Sequence, residues 1–265
     1  MSDLLNIRIS DRKILRKLTP YQSRIKIEYY QQENFRIRYV DVGDPERRMV
    51  LFIHGAPDSL LAFLRFLKDT RLGKSVRMVA VDRPGYGYSD PGKEVPPVKN
   101  QAALLNPLLS LNNNIKKPIL VGHSYGGTIA ARLAMEYPDQ VGGLILVGAA
   151  VDPDHEKRFR ISSLLGVPRV AKFLPFAILA ANYEKINHVK ELNEMKSGWK
   201  RIRAPVTILH GRKDWIVPVE NAYYMERMIA HGEIKMVVKN RLGHLIPIWQ
   251  PQLIIDEILW MVERY

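Results

Sequence analysis

Short, unbroken apolar runs recur along this chain, with helical stretches between them. Residues 49–53, 78–81, 119–121, 144–147 and 206–209 are apolar at every position except Thr207. A strand that is apolar on both sides must be covered on both sides, as in a parallel sheet sandwiched by helices. Helical patterns occupy residues 60–68, 101–111, 127–137, 220–229 and 251–262. Strands and helices in alternation predict an α/β architecture, a mostly parallel twisted sheet with helices on both faces. Residues 25–30 and 35–42 alternate in polarity around the polar turn 31–34, so a hairpin opens the sheet. A chain of 265 residues with 46% hydrophobic and 25% charged residues can bury a sizeable core.

One interval departs from this rhythm. Between Val151 and Pro205 no apolar strand occurs, and a helix-prone stretch carries Pro153, Pro168 and Pro175. An insertion of this kind between two sheet strands predicts a short helical cap. The expected organisation is a basic N-terminal segment at 1–20, a first core portion at 21–150, a cap at 151–204 and a second core portion at 205–265.

The chemistry gathers where the run 119–121 passes into Gly122-His123-Ser124-Tyr125-Gly126-Gly127, with a helix following at once. Gly-x-Ser-x-Gly between a buried strand and a helix forms a sharp turn that lifts the serine hydroxyl above the sheet. The helix N-terminus beneath it favours developing negative charge. Ser124 is therefore the candidate nucleophile, and a serine in that role needs a histidine base oriented by a carboxylate. The absence of cysteine excludes a thiol nucleophile, disulfides and thiolate metal sites.

With these residues in place, the chain from about Ile25 onward resembles the α/β-hydrolase family, in its serine-nucleophile, esterase- and lipase-like branch. That resemblance implies the order Ser, Asp, His. The segment His210-Gly211-Arg212-Lys213-Asp214 follows the run 206–209 and is similar to the family's acid loop, which makes Asp214 the acid. Arg241-Leu242-Gly243-His244-Leu245 precedes the last helix and is similar to the histidine loop, which makes His244 the base. Asp152, just beyond the run 144–147, is the rival acid, because some family members carry it there. The resemblance also implies oxyanion donors in the backbone N–H groups of Tyr125 and Ala56, the latter within His54-Gly55-Ala56-Pro57-Asp58.

Other candidates have structural readings. His123 neighbours the nucleophile but points elsewhere, and His210 at a strand end reads as a hydrogen-bonded core residue. His155, His188 and His231 have no positional rationale for catalysis. Asp82 reads as the anchor of the loop Asp82-Arg83-Pro84-Gly85-Tyr86-Gly87-Tyr88-Ser89. The serine at the elbow separates the chain from the epoxide hydrolase and haloalkane dehalogenase branches, which use an aspartate there. His54-Gly55-Ala56-Pro57-Asp58 also departs from the His-Gly-Gly-Pro-Gly of prolyl peptidases.

The expectation is a cofactor-free serine hydrolase that cleaves an ester or related acyl bond of a small, hydrophobic substrate beneath an apolar cap. C–C hydrolase, thioesterase, lactonase and perhydrolase share this machinery. A triad-bearing ligand receptor with little turnover is the rival from another class. No metal-ligand spacing, phosphate loop or dinucleotide motif is present, so neither metal nor cofactor is expected.

The formal charge of +13 concentrates in two blocks. Arg8, Arg12, Lys13, Arg16, Lys17, Arg24 and Lys26 face only Asp3 and Asp11, and a second cluster spans residues 190–213. Neither block interleaves aromatics as single-strand binders do, so nucleic acid is not an expected partner. Residues 10–18 read as a short capped helix with Ile14, Leu15 and Leu18 on one face among basic residues. Such a helix either packs on the domain or docks on an anionic membrane surface. No apolar run approaches the ~18–20 residues of a spanning helix, and Asp3, Arg8 and Asp11 interrupt any signal-peptide core. A cytoplasmic location is the expectation for the chain as given.

Overall fold

The structure, a computed structural model, describes residues 7–93, 95–157 and 174–265. Its centre is an eight-stranded sheet in the order β1-β2-β4-β3-β5-β6-β7-β8. The strands are β1 (Ile25–Gln32), β2 (Phe35–Val42), β3 (Met49–Ile53), β4 (Arg77–Val81), β5 (Ile119–His123), β6 (Gly143–Val147), β7 (Val206–Gly211) and β8 (Ile234–Lys239). Only β2 runs against its neighbours, pairing antiparallel with both β1 and β4. The hairpin turn is tighter than expected, since Gln32 pairs with Phe35 and Glu33 takes a positive φ of 52°.

Alternation along each strand divides the apolar runs between two cores. Met49, Leu51 and Ile53 of β3 join one core, while Val50 and Phe52 join the other. Likewise Leu144 and Leu146 of β6 face one way, and Ile145 and Val147 the other. This is why the runs lack polar positions: both faces of each strand are interior.

Helix α1 (Asp11–Leu18) packs on the second core through Ile14 and Leu18, which are fully buried. Ser10 holds the extended conformation of an N-cap, but its side chain makes no capping hydrogen bond. The helix is tied down instead by Asp11, which bonds the buried Arg38 guanidinium at 2.6 Å and accepts from the Tyr29 hydroxyl. Beyond β3, a 3-10 turn at Leu60–Phe63 leads into α2 (Leu64–Lys68) and α3 (Thr70–Ser75). Helices α4 (Val98–Leu105) and α5 (Tyr125–Glu136) cover the first core. Between β6 and β7 lies α6 (Phe176–Met195), which inserts Leu192 and Met195 into the first core. The expected cap also includes residues 158–173, which lie outside the described residues. Helices α7 (Glu220–Met228), α8 (Ile246–Trp249) and α9 (Pro251–Arg264) complete the fold.

The chain leaves β3 outward to β4, then returns to the other side of β3 to form β5. Such a reversal opens a crevice at the carboxyl ends of the two central strands, where ligands bind in open α/β sheets. The loops after β3 and β5 carry His54–Ala56 and Ser124. No helix among the described residues is long and apolar enough to cross a membrane.

Candidate active site

Ser124 sits between β5 and α5 with φ 55° and ψ −124°, a left-handed conformation that costs a non-glycine residue roughly 1–3 kcal/mol. The surroundings impose it. Ser124 N–H donates to the Val147 carbonyl at 2.9 Å, and its own carbonyl accepts from Gly127 N–H at 2.9 Å. The flanking glycines are required by close approach. A Cβ on Gly126 would lie 2.1 Å from the Ile53 carbonyl oxygen, and one on Gly122 would lie 2.5 Å from that of Gly126.

The Ser124 hydroxyl donates to His244 Nε2 at 3.0 Å, and His244 Nδ1–H donates to Asp214 Oδ2 at 2.7 Å. The other oxygen, Asp214 Oδ1, accepts the backbone N–H groups of Ile216 at 3.0 Å and Val217 at 2.8 Å. All three residues are largely buried. Asp152 is occupied elsewhere: its Oδ2 pairs with His155 Nδ1 at 2.8 Å, and its Oδ1 accepts from the Asp154 N–H. The structure thus joins Ser124, His244 and Asp214 and gives Asp152 another partner.

His123 and His210 brace this arrangement. His123 Nε2–H donates to the His244 carbonyl at 3.0 Å, while burial and then the neighbouring His244 push its pKa down to about 3. His210 Nε2–H donates to the Val217 carbonyl at 2.9 Å, fixing the segment whose amides hold Asp214. Burial lowers the His210 pKa too, so both rings are held neutral.

The loop after β3 presses on the nucleophile: a Cβ on Gly55 would lie 2.9 Å from Ser124 Cβ. Among the described residues, the Ala56 and Tyr125 backbone N–H groups have no hydrogen-bond acceptor. Arg83 holds the loop from behind, with Nε donating to the His54 carbonyl at 2.8 Å and Nη2 to the Gly55 carbonyl at 3.2 Å. The same guanidinium bonds Glu184 of α6 at 2.5 Å, and Glu184 also accepts from Tyr86 and Gln101. Burial, then the Arg83 charge, keeps His54 well below the ordinary histidine range; its Nε2 accepts the Arg83 N–H at 3.0 Å. Asp82 anchors the adjacent loop by accepting from Leu60 N–H at 2.9 Å and Tyr88 N–H at 3.0 Å.

The fold has counterparts among known proteins. The family described as the alpha/beta hydrolase fold matches residues 48–171. This chain has the α/β-hydrolase fold. Epoxide hydrolase 1 of Caenorhabditis elegans is 31% identical over 119 residues, covering 44% of this chain and 29% of that protein. Human monoacylglycerol lipase ABHD6 is 26% identical over 208 residues, covering 75% of this chain and 58% of that protein. The chain therefore spans less than two thirds of the length of these curated relatives. A bacterial membrane phospholipase A of known structure superposes with a TM-score of 0.71 at 19% identity, covering 96% of this chain and 91% of that one.

A cavity of about 240 Å³ adjoins Ser124 beneath α6. Ala56, Pro57, Ala150, Ile178, Ile216 and Val217 supply apolar wall, as expected. The α6 side differs from the expected apolar lining, because Asn182, Glu184, Lys185 and His188 border it together with Glu156. His188, for which the sequence offered no positional rationale, is buried and tilted against the Tyr125 ring at 4.7 Å. Its Nδ1 lies 3.1 Å from Glu156 Oε1, and Lys185 bonds the same oxygen at 2.5 Å. Burial raises the Glu156 pKa, but His188 and Lys185 outweigh it and hold the carboxyl below its ordinary value. The i, i+4, i+7 spacing of Glu184, His188 and Glu191 on one helix was the available signal for a buried polar stripe. A second cavity of about 310 Å³ is lined by Trp215, His244, Leu245 and Trp249 among others, and Ile216 borders both spaces. Among the described residues, no group of three or more His, Asp or Glu side chains is arranged to hold a metal ion.

Proposed function

We propose that this protein is a serine hydrolase of esters or related acyl compounds, working through an acyl-enzyme. The observation that carries the reading is the continuous chain Ser124 Oγ–His244 Nε2 and His244 Nδ1–Asp214 Oδ2, at 3.0 and 2.7 Å. His244 takes the Ser124 proton as Oγ attacks the carbonyl carbon, and the carbonyl oxygen becomes an oxyanion facing the Ala56 and Tyr125 amides. Collapse expels the alkoxide, which takes the proton back from His244 and leaves as the alcohol. Water then attacks the acyl-serine with His244 again accepting a proton, and the carboxylic acid and free Ser124 result.

Asp214 keeps the His244 Nδ1–H tautomer in place and balances the imidazolium. A donor of the oxyanion type contributes roughly 3 kcal/mol to the transition state. Ser124 offers a hydroxyl where the epoxide hydrolase branch uses an aspartate, which favours acyl transfer. A largely apolar cavity of about 240 Å³ favours a short or medium acyl group.

The test is a burst experiment with p-nitrophenyl esters of graded acyl length, followed by mass spectrometry of the trapped enzyme. An acyl mass on the Ser124 peptide and a loss of turnover by at least about 10³-fold in Ser124→Ala are expected. A Ser124→Ala protein as active as the wild type overturns the reading.

A further inference from the structure

Large apolar side chains are out in solvent on one side of the active-site mouth. Trp215 is 67% exposed and Trp249 is 73% exposed, and Leu245 and Ile248 are each 42% exposed. Trp215, Leu245 and Trp249 border one groove that has His244 in its wall. Among the described residues neither indole makes a ring or cation contact. Exposed tryptophans beside leucine and isoleucine forgo burial that the fold could have supplied, which marks an interaction surface.

The charges beside this patch are of one sign. Arg212 and Lys213 precede Trp215, Lys239 ends β8 and Arg241 lies on the loop that follows it; all four are exposed. Backbone bonds from Arg212 N–H to the Lys239 carbonyl and from Lys213 N–H to the Leu242 carbonyl, both 2.9 Å, staple the two loops side by side. Arg65 adds a further cation by donating to the Ile248 carbonyl at 3.0 Å. Among the described residues none of Arg212, Lys213, Lys239 and Arg241 forms an ion pair. The only carboxylate within residues 211–216 and 239–250 is Asp214, which is buried against His244.

We propose that this rim is a docking surface for an anionic phospholipid bilayer. Tryptophan, with an apolar body and a polar N–H, settles at the headgroup boundary, and neighbouring cations engage acidic lipids. The unpartnered cations argue for an anionic occupant, and the loose apolar side chains argue for one that is soft rather than shaped. The N-terminal helix, the other basic segment, has turned Ile14 and Leu18 into the core and keeps only Leu15 for solvent. The rim opens beside His244, so docking would present the catalytic mouth to molecules dissolved in the membrane.

The test is co-sedimentation of the full chain in a Ser124→Ala background, so that binding is read independently of turnover. Vesicles of phosphatidylcholine with phosphatidylglycerol are compared with vesicles of phosphatidylcholine alone. The acidic vesicles should bind at least about tenfold more tightly. Trp215→Ala with Trp249→Ala should weaken that binding about tenfold or more, and Arg212→Glu with Arg241→Glu should abolish the preference for acidic lipid. All four side chains are exposed, and thermal melting confirms that the variants fold. Equal sedimentation of wild type and tryptophan variant overturns the proposal. So does a wild type that ignores vesicles but self-associates through the two tryptophans in analytical ultracentrifugation.

Discussion

The imidazole of His123 donates through Nε2 to the backbone carbonyl of His244 at 3.0 Å. The residue that precedes the candidate nucleophile thus holds the loop that carries the candidate base. The rings lie 4.9 Å apart, so a charge on one is felt by the other.

A pH dependence of stability follows from that contact. His123 is pushed down to about 3 by burial and then by His244, whereas an unfolded histidine titrates near ~6.5. Between these values the unfolded chain binds a proton that the folded ring refuses. Stability is therefore complete above about 6.5 and is lost as pH falls toward 3, with His123 contributing up to about 1.4 kcal/mol per pH unit. His123→Gln keeps an N–H donor but cannot titrate. Urea unfolding at a series of pH values should give it a shallower acid slope than the wild type, and parallel slopes would exclude this role.

Asp214 and Asp152 can be separated by the same conservative change. Asp214→Asn leaves the shape but disturbs the His244 tautomer, and turnover should fall by up to roughly 10⁴-fold. Asp152→Asn touches the His155 pair and should leave turnover within a few fold. Steady-state kinetics on a p-nitrophenyl ester decides between them, and the reverse order would move the acid to Asp152.

The Arg83–Glu184 pair joins the first core portion to α6 in full burial. Removing one member strands the other charge, which costs roughly 3–5 kcal/mol. Arg83→Met and Glu184→Leu should each lower the melting temperature substantially, and the double variant should recover part of the loss. Arg83→Met also releases the His54 and Gly55 carbonyls, so in that variant turnover should fall beyond what partial unfolding explains.

Helix α1 offers a contrast among neighbours. Ile14→Ala or Leu18→Ala removes a fully buried side chain and should cost about 2–5 kcal/mol. Leu15→Ala, on the exposed side, should cost under about 0.5 kcal/mol. Equal losses at all three positions in denaturant titration would contradict the packing of this helix.

Local signals carried most of what could be read from the chain. The sheet was legible because apolar runs reflect burial on both faces, and the observed strands differ from the expected runs by a residue or two at their ends. The exception is β8, a half-buried edge strand carrying Lys235 and Lys239, which is absent from the expected runs. Ser124 was legible because a strand, two close-packed glycines and a helix are adjacent in the chain. Asp214 and His244 were found through family order and were not otherwise distinguishable from Asp152 or the other histidines. The contacts of His188, Glu156 and Glu184 were hidden, since they arise when α6 folds back over residues far away in sequence. Arg83 and Glu184 are 101 positions apart, and no periodicity links them. The exposure of Trp215 and Trp249 was equally hidden, because a tryptophan reads as core material by type alone.

Ile216 borders both the chamber beneath α6 and the groove beside His244. One branched side chain therefore touches both the space lined by Ser124 and the space lined by His244. On the proposed acyl-transfer reading, a compound that reaches into both spaces passes this residue, so its bulk bears on which shapes fit. Trimming it to alanine enlarges the space on both sides of this side chain and should widen the range of shapes admitted.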